Sequence, residues 1–574
     1  MEITPSDGAL LAECLPVWCW VYLLFLFYLS FFNGCRKKSL VSPNNKSQAI
    51  WQNKFYNEQI KDMMIQNKNN KSQSLIRGIF LVVRRVLCVP FSALRRTQSG
   101  RKGHKVFFSN WLIPLLIIVF ISSCKVGKEY QRPTLELPNQ FTNVSFADTS
   151  SIADIEWKKF FTDPTLQGLI EKGITYNHDL LLAIKRVDVA QQQVKQAKLL
   201  QLPELDFQIT GQISRPSNNS LNGLSLKSFL GKSYVENYQT LVNLSWEADI
   251  WGKLRGQKEA TLAEYLQTYE AAKAVQTQLV ANIAQGFSNL LMLDKQLDIS
   301  RRNLLLSDSF LIATRLLKDA GMGNLLAVQQ AESQKQSTAL LIPQLEESIA
   351  LQENALQVLT GQLPGTVSRS VSLNDFSITD SLSTGLPASM VSRRPDVRSN
   401  EMVLVAANAK LGIAQANLYP ALNITAGGGL ESFKASNWFN IPNSLFGLAT
   451  GSIVQPVFKR RELKTQFEIA KLQREQAVIQ FRQSVLQATG EVANALVQVD
   501  KLKQQQQIAT ARVDTLHRAV INAQLLFRSD LANYLEVITA QGNALQAELD
   551  LASIQRQQLA ATIELYRALG GGWK

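Results

Sequence analysis

Histidine is almost missing from this chain: His104, His178 and His517 are the only three in 574 residues, and no two lie within one helical turn. That spacing excludes a His-x-x-x-His metal pair or a zinc cluster. Cysteine ends at Cys124, after Cys14, Cys19, Cys35 and Cys88, so the 450 residues that follow contain no disulfide, and none is needed to pass through an oxidising compartment. No Gly-x-x-x-x-Gly-Lys phosphate loop and no Gly-x-Ser-x-Gly elbow occurs. The run Gly427-Gly428-Gly429 falls in a strand-like pattern, where a bend or close packing is the plainer reading. Thirty glycines and 17 prolines exclude a collagen-like chain, and a mean hydropathy of -0.04 argues against a polytopic bundle of apolar helices. No enzyme, metal site or resident cofactor is expected.

Acidic residues are scarce in one place only. Sixteen of the 60 Lys and Arg but only 5 of the 46 Asp and Glu precede Lys125, which leaves +3 of the net +14 for the rest. Positive charge is therefore not gathered in the part that folds, and no nucleic-acid partner is expected.

Two apolar runs stand out, Leu15 to Phe32 and Trp111 to Ser122. The second follows Arg101, Lys102, His104 and Lys105 and ends in Ser122-Ser123-Cys124, the order of a secretion signal closed by a bacterial lipobox. Cys124 is thus expected to carry diacylglycerol and an N-acyl chain and to begin the mature protein, and Lys125 favours sorting to the outer membrane. Residues 104–123 are read as the signal peptide and 124–160 as a lipid-anchored extended segment. Residues 1–103, which include an Asn/Lys/Gln/Ser-rich stretch from Ser42 to Ser74, are read as a misplaced start or a disordered or membrane segment.

The body repeats itself. Pro203, Leu205 and Phe207 match Pro420, Leu422 and Ile424 at an offset of 217; Leu254, Leu326, Val328, Ala331 and Gly361 match Leu463, Leu535, Val537, Ala540 and Gly570 at 209. A shift held constant over more than 100 residues indicates a duplicated unit, here read as 161–370 and 371–574. Lys253 to about Lys318 contains no proline and carries apolar and Ala positions three and four apart, which predicts a helix of roughly 100 Å. Arg460 to about Phe527 predicts its counterpart. Their narrow seams suit coiled-coil packing. Each long helix is preceded by two strand-like segments, 204–214 with 237–250 and 421–433 with 446–457, of the length and alternation of transmembrane barrel strands. Four strands leave unpaired edges in lipid, so closure demands several protomers. Trp246, Trp251 and Trp438 fall near strand ends, as an interfacial girdle would place them, although they would also suit the core of a soluble sandwich.

The segments Val126-Gly127-Lys-Glu-Tyr130-Gln-Arg132-Pro133, Trp157-Lys-Lys-Phe-Phe161-Thr-Asp163-Pro164-Thr-Leu166, Ser245-Trp-Glu-Ala-Asp249-Ile-Trp251-Gly252-Lys-Leu254-Arg255, Arg393-Arg394-Pro395-Asp396-Val-Arg398, Gln455-Pro456-Val-Phe458 and Leu565-Tyr-Arg-Ala-Leu-Gly570-Gly-Gly-Trp573 resemble the NodT-type outer-membrane lipoproteins among the TolC-like outer membrane factors. The resemblance runs in order through residues 124–574. It implies a mainly α fold with a β-barrel portion: a homotrimer whose long helices form a periplasmic α-barrel and whose four strands per chain share a 12-stranded barrel in outer-membrane lipid. A mixed belt would come from Leu345 to Gly385 and the C-terminus. Such a protein is the passive exit duct of a tripartite pump, joined through a periplasmic adaptor to an inner-membrane resistance-nodulation-division (RND) transporter.

The periplasmic end is then expected at the turns 317–324 and 527–534, with Gly321 and Gly323 supplying positive φ and Asp530 standing where the family commonly has glycine. Gly321, Asn324, Leu325, Asp530, Asn533, Tyr534 and Leu535 are the candidate adaptor contacts, and Asp319, Arg512, Asp514 and Arg518 the candidate gate. His178 and Asp179, at a helix start, are read as capping residues. Two other functions share parts of this pattern: a type I secretion channel, whose usual form lacks the lipobox, and a lipid-anchored periplasmic coiled coil without a pore.

Overall fold

The computed structural model describes residues 126–134, 151–376, 378 and 387–574. Cys124, both apolar runs and the extension 1–103 lie outside the described residues. The chain divides into Met1–Asn110 and Trp111–Lys574, and everything described belongs to the second unit.

The first half of that unit runs α1 (Trp157–Phe160), α2 (Pro164–Tyr176), α3 (His178–Leu199), β1 (Glu204–Ser214), α4 (Leu221–Leu230), β2 (Val235–Ala248), α5 (Lys253–Asp319) and α6 (Leu325–Leu359). The second runs α7 (Pro387–Arg393), α8 (Pro395–Ala416), β3 (Ala421–Ser432), β4 (Leu445–Val454), α9 (Glu462–Arg528) and α10 (Tyr534–Ala568). The duplication is carried to the residue: α5 and α9 have 67 residues each and α6 and α10 have 35, all at the offset of 209. α3 and α8 have 22 each at the offset of 217. At 1.5 Å per residue the longest helices reach about 100 Å.

Local chemistry sets the boundaries, and it corrects several expected ones. β2 covers 235–248 rather than 237–250, because the Asp249 carboxylate accepts the N–H groups of Leu254 (3.0 Å) and Arg255 (3.0 Å) and so belongs to the turn into α5. β4 covers 445–454 rather than 446–457; Pro456, just beyond, has no N–H to give a ladder. β3 ends at Ser432, one residue early, where its hydroxyl accepts the Lys434 N–H. α9 starts at Glu462 instead of Arg460, since Arg460 and Arg461 hold positive φ values of 48° and 65°. The cap of α3 is Asn177, whose side chain accepts the Leu180 N–H at 3.0 Å, and not His178 or Asp179.

The four strands form one antiparallel sheet in the order β1-β2-β3-β4. Beside it the helices make a row in the same order, α3 on α5, α5 on α8, α8 on α9. Further along the long helices the row becomes α6, α5, α10, α9. One layer of strands thus continues into one layer of helices, with β1, α3 and α6 along one margin and β4 and α9 along the other.

The main apolar core sits at the middle of α5, where Leu279, Ile283, Phe287, Leu290 and Leu291 are buried against α2, α6, the 367–378 segment and the C-terminal turn. The belt draws on the stretch 151–176 as well as on the segments expected for it. Phe160 stacks on Tyr566 with ring centroids 4.0 Å apart, and the Tyr566 hydroxyl donates to the Ile155 carbonyl at 2.8 Å. Burial pushes the Tyr566 pKa up. Arg394, 3% exposed, ties the belt to the helices: it donates to the Ala568 carbonyl (3.0 Å), to Asp396 (2.6 and 3.0 Å) and to Glu491 (2.9 Å). Arg567 joins the cluster through Glu491 (3.1 Å) and Glu564.

Candidate functional site

The sheet register separates two chemistries. Residues paired across a ladder share a face, so Leu205, Phe207 and Ile209 of β1 lie with Leu244, Val242 and Thr240 of β2. The same face continues through Ala426, Gly428 and Leu430 of β3 into Ala449, Gly447 and Leu445 of β4. It is apolar or small throughout its middle. The opposite face carries Asp206, Gln208, Thr210, Gln239, Asn243, Ser245, Asn423, Thr425, Thr450 and Ser452. None of the four strands holds a Lys or Arg; Glu204, Asp206, Glu247 and Glu431 point to the polar side, and Glu236, near the start of β2, lies on the other. Eleven residues at about 3.3 Å reach some 36 Å, enough to cross a hydrocarbon core at a barrel's tilt. Among the described residues no helix is long and apolar enough to cross a membrane.

Aromatic rings mark both ends of the sheet. Where the strands meet the helices, Trp246 donates to the Gln201 carbonyl (3.0 Å), and Trp251 donates to the Pro420 carbonyl (2.8 Å) and stacks on Tyr419. At the far end Trp438 packs on Tyr238, with centroids 5.5 Å apart.

The N-terminal segment arrives at the inner of these girdles. The Val126 N–H lies 3.4 Å from the Trp251 carbonyl, and the Lys128 carbonyl accepts from Asn408 at 3.0 Å. Gly127 runs so close to Gly412 that a Cβ there would come within 2.9 Å of the Gly412 Cα. Further on, Glu401 receives the Tyr130 hydroxyl (3.1 Å) and Arg132 (2.6 Å), and burial together with Glu401 pushes the Tyr130 pKa up.

At the opposite extreme of the long helices lie the two expected turns. Each closes its helix with a paired Schellman bond: Gly321 N–H to the Lys318 carbonyl (2.9 Å) with Met322 N–H to Leu317 (2.9 Å), and Asp530 N–H to Phe527 (3.2 Å) with Leu531 N–H to Leu526 (2.9 Å). Of the two glycines expected at positive φ, only Gly321 adopts it. Gly323 does not, and its backbone sits tightly against Lys318. Asn324 and Asn533 are N-caps: Asn324 accepts the Ala327 N–H (2.8 Å), Asn533 those of Leu535 (2.9 Å) and Glu536 (3.2 Å). Leu325, Leu326, Leu531 and Leu535 are exposed, as is Met322. Tyr534 instead leans on a small apolar cluster of Phe310, Leu311, Val328, Ala331 and Val537 that joins the two hairpins, with Phe310 and Phe527 rings 5.6 Å apart.

The expected gate residues do not gather in one place within the chain. Asp319 pairs with its neighbour Lys318 (3.0 Å), Arg512 with Asp550 (3.1 Å) across the α9–α10 hairpin, and Arg518 donates to the Asp514 backbone carbonyl (3.3 Å). A contact not foreseen from sequence lies beside them: Glu548 accepts Asn303 of α5 (3.1 Å) and bonds His517 of α9 (2.6 Å), so one carboxylate of α10 engages two neighbouring helices. Among the described residues no group of three His, Cys, Asp or Glu side chains is placed to hold a metal.

A family model described as outer membrane efflux protein matches residues 169–362 and 386–571, one segment in each half. The chain belongs to the outer membrane efflux protein family. It is 30% identical over 472 residues to the cation efflux system protein CusC of Escherichia coli O6:H1, across 81% of this chain and 99% of CusC. It is 28% identical to the solvent efflux pump outer membrane protein SrpC of Pseudomonas putida, across 80% and 98%. A solved structure of CusC superposes with a TM-score of 0.71 at 28% identity, covering 78% of this chain and all of that one. The fold is therefore that of a TolC-like outer-membrane channel, with a helical barrel and a β-barrel portion. The protein is an outer-membrane efflux duct, and an apolar strand face such as that of Leu205, Phe207 and Ile209 is the one that suits lipid in a barrel of this kind.

Proposed function

We propose that three copies of this chain close around one axis to form the exit duct of a tripartite pump. Solutes delivered by an RND transporter and its periplasmic adaptor cross the outer membrane through it without bond chemistry. The observation that carries the trimer is the pair of open margins. Among the described residues β1 and β4 each lack one ladder partner, and an unpaired strand edge is untenable in lipid. β4 of one copy beside β1 of the next continues the antiparallel order, and twelve strands at three copies make a closed barrel. The helical margin supplies the matching seam: Leu472, Ile479 and Leu486 recur every seven residues on α9 and are exposed, and Leu182 and Val189 on α3 do the same.

Lipid on Cys124 belongs to the same proposal. Val126, two residues further on in sequence, is held at Trp251 in the inner girdle, the level at which an acyl chain would enter the leaflet. The exposed leucines at the two tips offer the adaptor an apolar contact, and the Asn caps fix the shape of that surface. Gating occurs where α9 and α10 can part from α5, where Asn303–Glu548, Gln296 on the Leu549 carbonyl and the Phe310–Phe527 cluster link the two hairpins.

The test is intact and native mass spectrometry of protein extracted from outer membranes, with planar-bilayer conductance on the same sample. A triacylated chain beginning at Cys124, in a complex of three that conducts, supports the duct. A non-conducting monomer returns the pore-free coiled coil.

A further inference from the structure

The outer end of the sheet carries two loops whose composition differs from the rest of the protein. Residues 215–234, which include α4, and residues 433–444 contain Arg215, Lys227, Lys232 and Lys434 and no Asp or Glu. The strands that they connect contain the reverse, acids without bases. The nearest carboxylates, Glu236 and Glu431, sit at the strand ends: Glu431 turns to the polar face, where it accepts from Asn237 at 3.0 Å, and Glu236 lies on the face of Tyr238, whose hydroxyl donates to it at 3.4 Å. Among the described residues none of the four loop cations forms an ion pair; Lys232 instead lies over Tyr234 (5.5 Å) and Lys434 over Phe433 (5.6 Å).

The same loops expose large apolar side chains without cover. Phe229 is 86% and Leu221 84% exposed, and Phe433, Phe439 and Ile441 are exposed as well. The side of the barrel taken by the 433–444 loop follows from Trp438, which packs between Phe439 (centroids 5.0 Å) and Tyr238; the 215–234 loop leaves the same end of the sheet. Tyr238 shares its face with Val242 and Leu244, the lipid side. The 433–444 loop therefore folds over the outside of the barrel, at the level where headgroups begin. Cations interleaved with aromatic and aliphatic anchors, at a girdle, are the chemistry of a surface for anionic amphiphiles.

We infer that these two loops bind the phosphorylated glycolipid headgroups of the surrounding outer leaflet, with Lys227, Lys232 and Lys434 on the phosphates and Phe229 and Phe439 against the acyl region. Three copies set twelve cations around the rim. This rests on the outer-membrane barrel reading, which places the loops outside.

The test is native mass spectrometry of the full-length complex in mixed micelles with lipid A, with the same lipid after enzymatic removal of its phosphates, or with phosphatidylcholine. Bilayer conductance of each sample is the folding control. Lipid A is expected to be retained at least tenfold more than either alternative, with retention falling as salt rises. The triple variant Lys227→Glu, Lys232→Glu, Lys434→Glu is expected to lose it while remaining a conducting trimer. Reversal of Lys464 and Lys471 on α9 is expected to change nothing. Equal retention of phosphorylated and dephosphorylated lipid, or retention insensitive to salt, overturns the inference even where the variant fails to fold. A complex that conducts without discriminating among lipids leaves the duct standing; one that neither trimerises nor conducts removes the duct itself.

Discussion

Asp530 stands where Gly321 stands, 209 residues further along, and both close a long helix from the left-handed region, at φ of +58° and +77°. Glycine adopts that conformation freely; an L side chain pays for it, Asp less than most. Asp530→Gly is expected to stabilise the α9–α10 turn by up to about 1 kcal/mol and Asp530→Val to destabilise it by about the same or more. Hydrogen exchange of the amides from Leu525 to Leu535 reports the change; equal protection in both variants would contradict it.

The Arg394 cluster couples the belt to acid. Burial alone would raise the Asp396 pKa, but the Arg394 guanidinium beside it outweighs that and holds the carboxyl below its ordinary value. A carboxylate depressed in the folded state contributes stability above its unfolded pKa and loses it as pH falls through the folded one. The difference in stability between the native protein and Asp396→Asn should therefore be constant near neutrality and shrink below about pH 4. Asp294 acts in the opposite sense, because burial raises its pKa despite Arg369, so only the difference between variants isolates Asp396. Arg394→Met, which leaves Asp396 without its guanidinium and the Ala568 carbonyl without that donor while Arg567 still holds Glu491, is expected to cost about 3 kcal/mol in urea denaturation.

Charge on the α9 seam should act on assembly rather than on the folded chain. Ile479→Lys with Leu472→Lys is expected to shift native mass from trimer to monomer with circular dichroism unchanged, because both side chains are exposed within one chain. The same substitutions at Ala477 and Phe481, which are buried, should abolish folding.

Loosening the link between hairpins should open the duct. Glu548→Ala removes the acceptor shared by Asn303 and His517, and Phe527→Ala empties the place opposite Phe310. The double variant is expected to raise single-channel conductance, or the fraction of time open, several-fold at neutral pH. Conductance equal to the parent would show that the gate lies elsewhere.

The repeat was legible because helix length and strand alternation depend on local pattern, and a constant offset needs no knowledge of packing. The boundaries that moved did so for side-chain reasons that periodicity does not register, such as Asp249 capping α5 or two arginines turning left-handed before α9. Asn324 and Asn533 carried a signal that the offset alone could have exposed: an Asn immediately ahead of each of two matched helices is a cap before it is anything else. The bonds from Arg394 to Ala568 and Glu491, the seat of Val126 on Trp251 and the double role of Glu548 join residues from 31 to 245 positions apart. Nothing in a one-dimensional pattern pairs such residues.

The two halves differ in the length of the connection between their strands. The offset falls from 217 to 209 between the first strands and the long helices, because 20 residues join β1 to β2 while 12 join β3 to β4. Below the sheet not one residue separates α5 from α9 or α6 from α10. A single insertion in either long helix would turn everything beyond it by about 100° and lift that tip by about 1.5 Å relative to its twin. The outer connection has thus changed length while the long helices have kept theirs. A peptide epitope for surface labelling, or a tag for purification from whole cells, belongs in the outer loops, where eight residues are already accommodated without disturbing the register beneath.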